Sequence, residues 1–218
     1  GVYVPHGTKI ENTGFVARWA NALGDSTRDF TQGTLGNRPT ADHNASLLPK
    51  QPALTFATDD YMVCGTNFNQ ATAYTILAVY RRRSPSGSST MLLGVGASSS
   101  SAQGLMAGGN TTVSVSVMNG TAIDQFPGAQ SPVGEWQLAR FRRESANVLY
   151  YSLNGGPEIL FPSPVAIPSL NGTLWLGRGW TLFSDMDMSE LWMLAGNGDA
   201  SSNEVQRITA VLKAKYNL

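Results

Sequence analysis

Short apolar runs separated by Gly, Pro, Asn and Ser dominate the chain and predict β-strands. Residues 74–82 are apolar on both faces, which is typical of a central strand covered on both sides. Residues 112–118 alternate between valine and smaller or polar residues, and Asn119-Gly120 then favours a hairpin turn. Further strands are predicted at 136–141, 148–153, 173–177 and 188–194.

The spacing of these runs, about 8–12 residues with turn residues between them, predicts a sandwich or closed barrel. Asn154-Gly155-Gly156 is another predicted turn, and Met91-Leu92-Leu93 predicts a short strand inside the Ser/Gly-rich stretch 84–104. That stretch is therefore interpreted as two loops around a strand. We expect one domain over residues 1–218.

The C-terminal residues predict a single amphipathic helix. Ser201 and Glu204 have the spacing of a capping box, and Lys213 and Lys215 lie in the last turn, where cations suit the helix dipole. Apolar residues recur at three- and four-residue steps, at Val205, Ile208, Val211, Leu212 and Tyr216. A lone helix that ends an all-β chain is expected to pack this stripe against a sheet.

Composition narrows the classes of function. Charged residues make up 14% of the 218 residues and the formal net charge is zero, so no electrostatic field favours nucleic acid or an anionic membrane. No apolar run reaches the length of a membrane span, and we expect no membrane insertion. Cys64 is the only cysteine, which excludes an intrachain disulfide. The arginines at 81–83 and at 140, 142 and 143 are interpreted as solvated strand ends.

Several segments, in order, resemble the concanavalin A-like, laminin-G-type jelly-roll domains of bacterial and phage proteins. They are VARW at 16–19, NRPT at 37–40, PALTFATDDYM at 52–62, YTILAVY at 74–80, VLYYSLNGG at 148–156, WLGRG at 175–179, SELWML at 189–194 and EVQRITAVLKAKYNL at 204–218. The resemblance implies an all-β, two-sheet antiparallel jelly-roll sandwich with one short C-terminal α-helix. Because residue 1 is Gly and little precedes VARW, we expect the C-terminal part of a longer chain.

Asp59-Asp60 has two interpretations. Clustered carboxylates are ligands that calcium prefers, and calcium is the one cofactor that the sequence suggests. Alternatively the two carboxylates cap backbone amides in a turn. We favour the turn. Ala57, before the segment TDDY at 58–61, stands where relatives carry Asp-Gly, and this departure weakens the case for a metal site.

The acidic run 185–190 resembles the E-x-D-x-x-E pattern of glucanases with a related fold, and Asp185 and Glu190 are weak catalytic candidates. Retaining glycosidases need two carboxyl groups about 5–5.5 Å apart. In a regular strand Asp185 and Asp187 share a face and Glu190 lies on the other, so a bulge would be required. We favour a structural role for Glu190 in the last strand.

Trp180 lies in a loop after a predicted strand, and its ring suits the apolar C–H face of a sugar. Arg178 and Asp185 are the candidate hydrogen-bonding partners for hydroxyl groups. The alternative places Trp180 against the core or a neighbouring subunit. The other tryptophans, in predicted strands, are interpreted as core: Trp19, Trp136, Trp175 and Trp192.

The sequence thus favours a non-catalytic module that binds a glycan or a cell-surface receptor, on an extracellular protein or a virion surface such as a phage fibre. One alternative is a virion decoration or assembly domain that contacts other subunits, including copies of itself. The second alternative is a glycoside hydrolase.

Overall fold

Antiparallel strands and one C-terminal helix make up the computed structural model. It describes residues 2–10, 14–42, 52–57, 59–64, 73–83, 90–95, 103–106, 114–119, 122–145, 147–161, 173–179, 182–195 and 202–218. The strands are β1 (Val2–Ile10), β2 (Val16–Asn21), β3 (Phe30–Thr31), β4 (Thr40–Asp42), β5 (Ala53–Phe56), β6 (Met62–Cys64), β7 (Tyr74–Arg82), β8 (Met91–Val95), β9 (Gln103–Met106), β10 (Ser114–Asn119), β11 (Ala122–Gln130), β12 (Trp136–Ser145), β13 (Val148–Leu153), β14 (Ile159–Phe161), β15 (Leu174–Leu176), β16 (Arg178–Gly179), β17 (Leu182–Phe183) and β18 (Met186–Ala195), followed by helix α1 (Asn203–Tyr216).

Hydrogen bonds join the strands in the order β11-β10-β9-β8-β15-β6-β3-β2-β1-β18-β7-β12-β13-β14, and β5 pairs with β18 and β4. The start of β1 pairs with β18 and its end pairs with β2 after an irregular register, so β1 links two layers. We call β2, β3, β6, β15 and β8–β11 the front sheet. The back sheet comprises β4, β5, β18, β7, β12, β13 and β14. The predicted two-sheet antiparallel sandwich is confirmed.

The main core fills the space between the two sheets. From the back sheet, Ile76, Ala78 and Tyr80 of β7 point into it, and Trp19 and Phe30 enter from the front sheet. All five are buried, at 1% exposure or less. The alternate residues of β7 point the other way, which explains why the sequence is apolar on both faces. The predicted central strand at 74–82 is confirmed.

A smaller core lies on the outer face of the back sheet, beneath α1. Leu77, Val79 and Leu138 pack there against the helix residues Ile208, Leu212 and Tyr216. The N-cap is Ser202, whose Oγ accepts from the backbone N–H of Val205, so the predicted cap at Ser201 is wrong by one residue. Val211 is 56% exposed and does not belong to the buried stripe, because the neighbouring positions already cover the sheet.

The turn between β13 and β14 confirms the prediction at Asn154-Gly155-Gly156. Asn154 and Gly155 both have positive φ, 51° and 71°, and the Gly156 N–H donates to the Leu153 carbonyl at 2.9 Å. The Asn154 side chain accepts from the Leu138 N–H at 2.8 Å and so ties the turn to β12.

The interpretation of the arginine clusters as solvated strand ends is wrong for Arg82, Arg140, Arg142 and Arg143, which are all less than 9% exposed. Acceptors inside the fold explain the burial of Arg82, Arg140 and Arg142. Arg82 donates to the hydroxyl of Thr90 and the carbonyl of Ser131, at 3.2 and 2.9 Å.

A second group of acceptors holds the arginines of β12. Glu158 forms two hydrogen bonds with Arg142, at 2.9 and 2.6 Å, and an ion pair with Arg140 at 3.1 Å. The Arg142 guanidinium also lies 4.1 Å from the centre of the Tyr150 ring.

Candidate functional site

Three half-buried side chains meet on the front sheet at the end of β15: Tyr61, Trp175 and Arg178. The Tyr61 and Trp175 ring centroids are 5.2 Å apart, with the planes tilted by 43°. The Arg178 guanidinium lies 4.6 Å from the Tyr61 ring centroid and 4.8 Å from that of Trp175. We call these three residues the aromatic–arginine cluster. Cation–π attraction and ring packing hold its members together.

Alternation along β15 places Trp175 on this surface. Leu174 and Leu176 point into the main core, so Trp175 between them faces outward. In register it lies beside Val63 of β6 and Gly94 of β8. Gly94 adds no side chain at its register position, and the indole Nε1 of Trp175 is buried.

Two loops support the cluster from the side. The Tyr61 N–H donates to the Asn37 carbonyl at 3.0 Å, and Gln32 Nε2 donates to the Tyr61 carbonyl at 3.2 Å. Arg38 Nε donates in turn to the Gln32 carbonyl at 2.8 Å. These bonds hold the backbone of Tyr61 in place, and the ring itself contacts Trp175 and Arg178.

The sequence prediction included Arg178 and missed Tyr61 and Trp175. Trp180 lies outside the described residues, two positions after Arg178. Trp19 is fully buried in the main core, as expected, whereas the interpretation of Trp175 as core is wrong because it faces away from the space between the sheets. The signal that could have found it is the Leu-Trp-Leu alternation at 174–176.

Asp185, the other predicted partner for hydroxyl groups, contacts Arg83 and does not belong to the aromatic–arginine cluster. Its Oδ1 is 3.8 Å from Arg83 Nε, and its carbonyl accepts from the Arg83 N–H at 3.0 Å. Its side chain is 26% exposed. Asp187, the next acidic residue, is buried and accepts two hydrogen bonds from Arg81 and one from Thr55 Oγ1.

β18 contains the bulge that a paired-carboxylate site would need. Met188 pairs with Tyr80 and Glu190 pairs with Val79, so Ser189 is the extra residue. The bulge turns Glu190 to the helix side of the back sheet, the side that Asp187 also occupies. The two carboxylates therefore lie on the outer face of the back sheet, where Glu190 contacts α1 and Asp187 contacts Arg81 and Thr55.

Glu190 is fully engaged at this position. Its Oε1 accepts from Lys215 Nζ and, at 2.8 Å, from the Tyr216 hydroxyl, and its Oε2 accepts from Trp192 Nε1 at 3.0 Å. Burial and the adjacent Glu190 carboxylate raise the pKa of Tyr216, which keeps its hydroxyl a donor. Glu190 is 2% exposed, and this arrangement anchors the helix to the sheet.

Asp59 and Asp60 occupy a turn. Asp60 Oδ2 accepts from the Ala57 N–H at 2.8 Å, and Asp59 has φ 79° and is exposed. Burial, together with the charge of Asp59, raises the pKa of Asp60 to about 6. Within the described ranges no three His, Cys, Asp or Glu side chains are grouped as a metal site. Calcium at this pair stays a prediction.

No helix in the described part of the chain has the length and hydropathy of a membrane span.

No protein-family model matches the sequence, and no curated protein matches it either. Solved structures do. Domain 4 of AbnA, a GH43 extracellular arabinanase from Geobacillus stearothermophilus, in complex with arabinotriose, matches with a TM-score of 0.62 and 13% identity, over 92% of this chain and 93% of that one.

Two further similarities are with larger proteins. An arabinofuranosidase complexed with arabinofuranosyl-alpha-1,2-xylobiose matches with a TM-score of 0.60 and 16% identity, over 93% of this chain and 51% of that one. Trypanosoma rangeli sialidase in complex with sialic acid matches with a TM-score of 0.58 and 8% identity, over 97% of this chain. The chain spans 33% of the sialidase. Identities this low show a shared fold.

Proposed function

We propose that this β-sandwich is a concanavalin A-like, laminin-G-type jelly roll that binds carbohydrate without cleaving it. The observation that carries the proposal is the aromatic–arginine cluster of Tyr61, Trp175 and Arg178. Aromatic rings pack against the apolar C–H face of a pyranose or furanose ring, and a guanidinium donates directional hydrogen bonds to hydroxyl oxygens. The cluster offers both kinds of group side by side on one surface.

The position of the cluster supports recognition over hydrolysis. The acidic residues considered for catalysis, Asp185 and Glu190, have other partners, and Glu190 lies beneath α1 on the back sheet. Trp180 directly follows the strand of Arg178, and we propose that it extends the same binding surface. The glycan complexes among the structural neighbours, above all the arabinanase domain of similar extent, also support a carbohydrate ligand.

For location we propose an extracellular protein or a virion surface. The low content of charged residues, 14%, is common among secreted and virion β-proteins. A glycan or glycosylated receptor on a cell surface would then be the partner.

The test is a glycan array probed with the intact chain and with Tyr61→Ala, Trp175→Ala and Arg178→Ala. Each substitution should weaken glycan binding about 5- to 150-fold, since ring stacking on a sugar and hydrogen bonds from a charged group each contribute about 1–3 kcal/mol. Thermal unfolding should show that the variants remain folded.

Tyr150→Ala is the matched control. Tyr150 also stacks against an arginine, Arg142, with 4.1 Å between guanidinium and ring centre, but it lies on the back sheet. The Tyr150→Ala variant should bind glycans with the same affinity as the parent chain. Equal loss in Tyr150→Ala and Trp175→Ala, or full binding by Trp175→Ala, would overturn the placement of the site.

The exposure of two loop leucines, Leu23 at 72% and Leu35 at 49%, favours a second candidate function as a contact domain for other subunits or for a second copy. Light scattering of Leu23→Ser and Leu35→Ser tests it, because an assembly that uses these side chains should dissociate. A monomeric parent chain would count against self-assembly.

A further inference from the structure

An open pocket of about 320 Å³ lies between α1 and the turn at Leu153–Gly156, on the helix side of the back sheet. Its lining residues come from β12, the turn and the helix: Arg140, Gly155, Gln206, Thr209, Ala210 and Lys213. Gly155 lets the Lys213 side chain lie against the turn, because a Cβ at position 155 would be only 3.1 Å from Lys213 Cδ. This site is separate from the aromatic–arginine cluster on the front sheet.

Arg140 lines the sheet side of the pocket, and Ser152 lies beside it in β13. Arg140 is 8% exposed and pairs through Nη2 with Glu158, yet its Nε has no hydrogen-bond partner among the described residues. Ser152, its cross-strand neighbour in register, is 2% exposed, and its hydroxyl has no partner there either. Both atoms are shielded from solvent, so a ligand in the pocket would meet the remaining N–H donors of the Arg140 guanidinium.

The local charges define the kind of ligand. Arg140 and Lys213 supply two positive charges at the pocket, and Glu158, which pairs with Arg140, supplies one negative charge, which leaves one positive charge. A monoanion neutralises this balance, whereas a dianion would reverse it. The volume is near the lower end of the roughly 300–1,000 Å³ of small-molecule sites. Gln206 and Thr209 add polar side chains on the rim.

We propose that this pocket binds a small hydroxylated carboxylate, the class to which uronic acids belong. Lys213 faces the carboxylate from the helix, and Arg140 faces it from the sheet. Gln206 and the turn backbone at Gly155 are placed to meet the hydroxyl groups.

The test is a titration of the 15N-labelled chain with D-glucuronate at pH 7 and constant ionic strength, followed by NMR. The amide resonances of Gly155 and Thr209 should shift with saturation, whereas D-glucose, which lacks the carboxylate, should leave them in place. Inorganic sulfate is the second comparison, and it should bind less well than glucuronate.

Two variants probe the pocket itself. Lys213→Gln removes one charge, and Ala210→Phe fills the space without changing the charge, so each should weaken glucuronate binding at least about tenfold. Arg207→Gln is the matched control, since Arg207 is an exposed cation on the same helix that lines a different groove. It should change the affinity by less than about twofold.

Binding of glucuronate that survives Ala210→Phe, or that falls equally in Arg207→Gln, would overturn the proposal, because diffuse charge attraction would then explain it. No saturable shift with glucuronate, or sulfate binding at equal strength, would overturn it as well. Trp175→Ala should bind glucuronate like the parent chain, which separates this test from that of the front-sheet site.

Discussion

Two buried carboxyl groups in this protein are stabilised in different ways. Glu190 accepts hydrogen bonds from a lysine, a tyrosine and a tryptophan, so its charge is compensated inside the protein. Asp60 accepts one backbone N–H, from Ala57, and lies next to the charge of Asp59. Burial without a cation favours the protonated form of Asp60, and this difference leads to separate predictions for the two residues.

Asp60 should make the stability of the fold depend on pH. Its pKa is about 6 in the folded chain, against an ordinary value of 3.8, so the folded state binds the extra proton between these values. The free energy of unfolding should therefore fall as the pH rises from about 4 to about 6. Asp60→Asn keeps the acceptor and removes the charge. At pH 7 it should be more stable than the parent by roughly 1–2 kcal/mol, with no difference below about pH 4.

Urea denaturation at several pH values measures this effect. Asp59→Asn is the control, because Asp59 is exposed and asparagine also tolerates its positive φ. It removes only the smallest of the causes that shift the pKa of Asp60, and so it should change the stability by less than about 0.5 kcal/mol. A stability difference between Asp60→Asn and the parent that is the same at pH 4 and pH 7 would contradict the assignment of the pKa to Asp60.

Glu190→Gln should destabilise the fold by about 2–4 kcal/mol, since Lys215 would lose its buried partner and the amide cannot accept from all three donors. Asp185→Asn, at a half-exposed ion pair of 3.8 Å, should cost less than about 0.5 kcal/mol. Chemical denaturation compares the two. Equal stabilities would show that Glu190 does not anchor the helix and would reopen the hydrolase hypothesis.

At the scale of elements, α1 and the back sheet form one packing unit. Ile208, Leu212 and Tyr216 recur at four-residue steps and meet the side chains of β7 and β12 that point away from the main core. The bulge at Ser189 belongs to the same unit, because its hydroxyl donates to the Pro52 carbonyl at 2.8 Å and lies 2.9 Å from the Tyr216 hydroxyl.

Adjacent helix residues test this docking. Leu212→Ala should cost about 2–5 kcal/mol of unfolding free energy, because Leu212 is 1% exposed and its removal leaves a cavity under the helix. Val211→Ala should cost less than about 0.5 kcal/mol, since Val211 is 56% exposed. Thermal and urea unfolding measure both. If the two variants lose the same stability, the helix does not dock through this stripe.

Local periodicity explains what the sequence could predict. The double-sided apolar pattern of 74–82 and the three- and four-residue steps of the helix follow from local geometry, so both elements were predictable. Of the aromatic–arginine cluster, only Arg178 was predicted. Tyr61 and Trp175 are 114 positions apart and meet only through the pairing of β6 with β15, so no local pattern links them. The burial of the arginines was missed because Glu158 and Ser131, their acceptors, come from other strands and loops.

At the scale of the whole molecule, the two outer faces of the sandwich differ. The outer face of the back sheet carries the helix, the anchoring carboxylate Glu190 and the cationic pocket. The front sheet presents the aromatic–arginine cluster. Under the proposed function this division separates stability from recognition, so substitutions in the cluster should alter glycan binding with little change in the unfolding transition.

The indole N–H resonances of the tryptophans test the central claim most directly. In an NMR titration with a glycan selected on the array, the Trp175 indole signal should shift with the same saturation curve as glycan binding. The signal of Trp192, whose Nε1 donates to Glu190 on the far side of the back sheet, should stay in place. A saturating glycan that leaves the Trp175 signal unmoved, or that shifts Trp192 in its stead, would contradict a carbohydrate site on the front sheet.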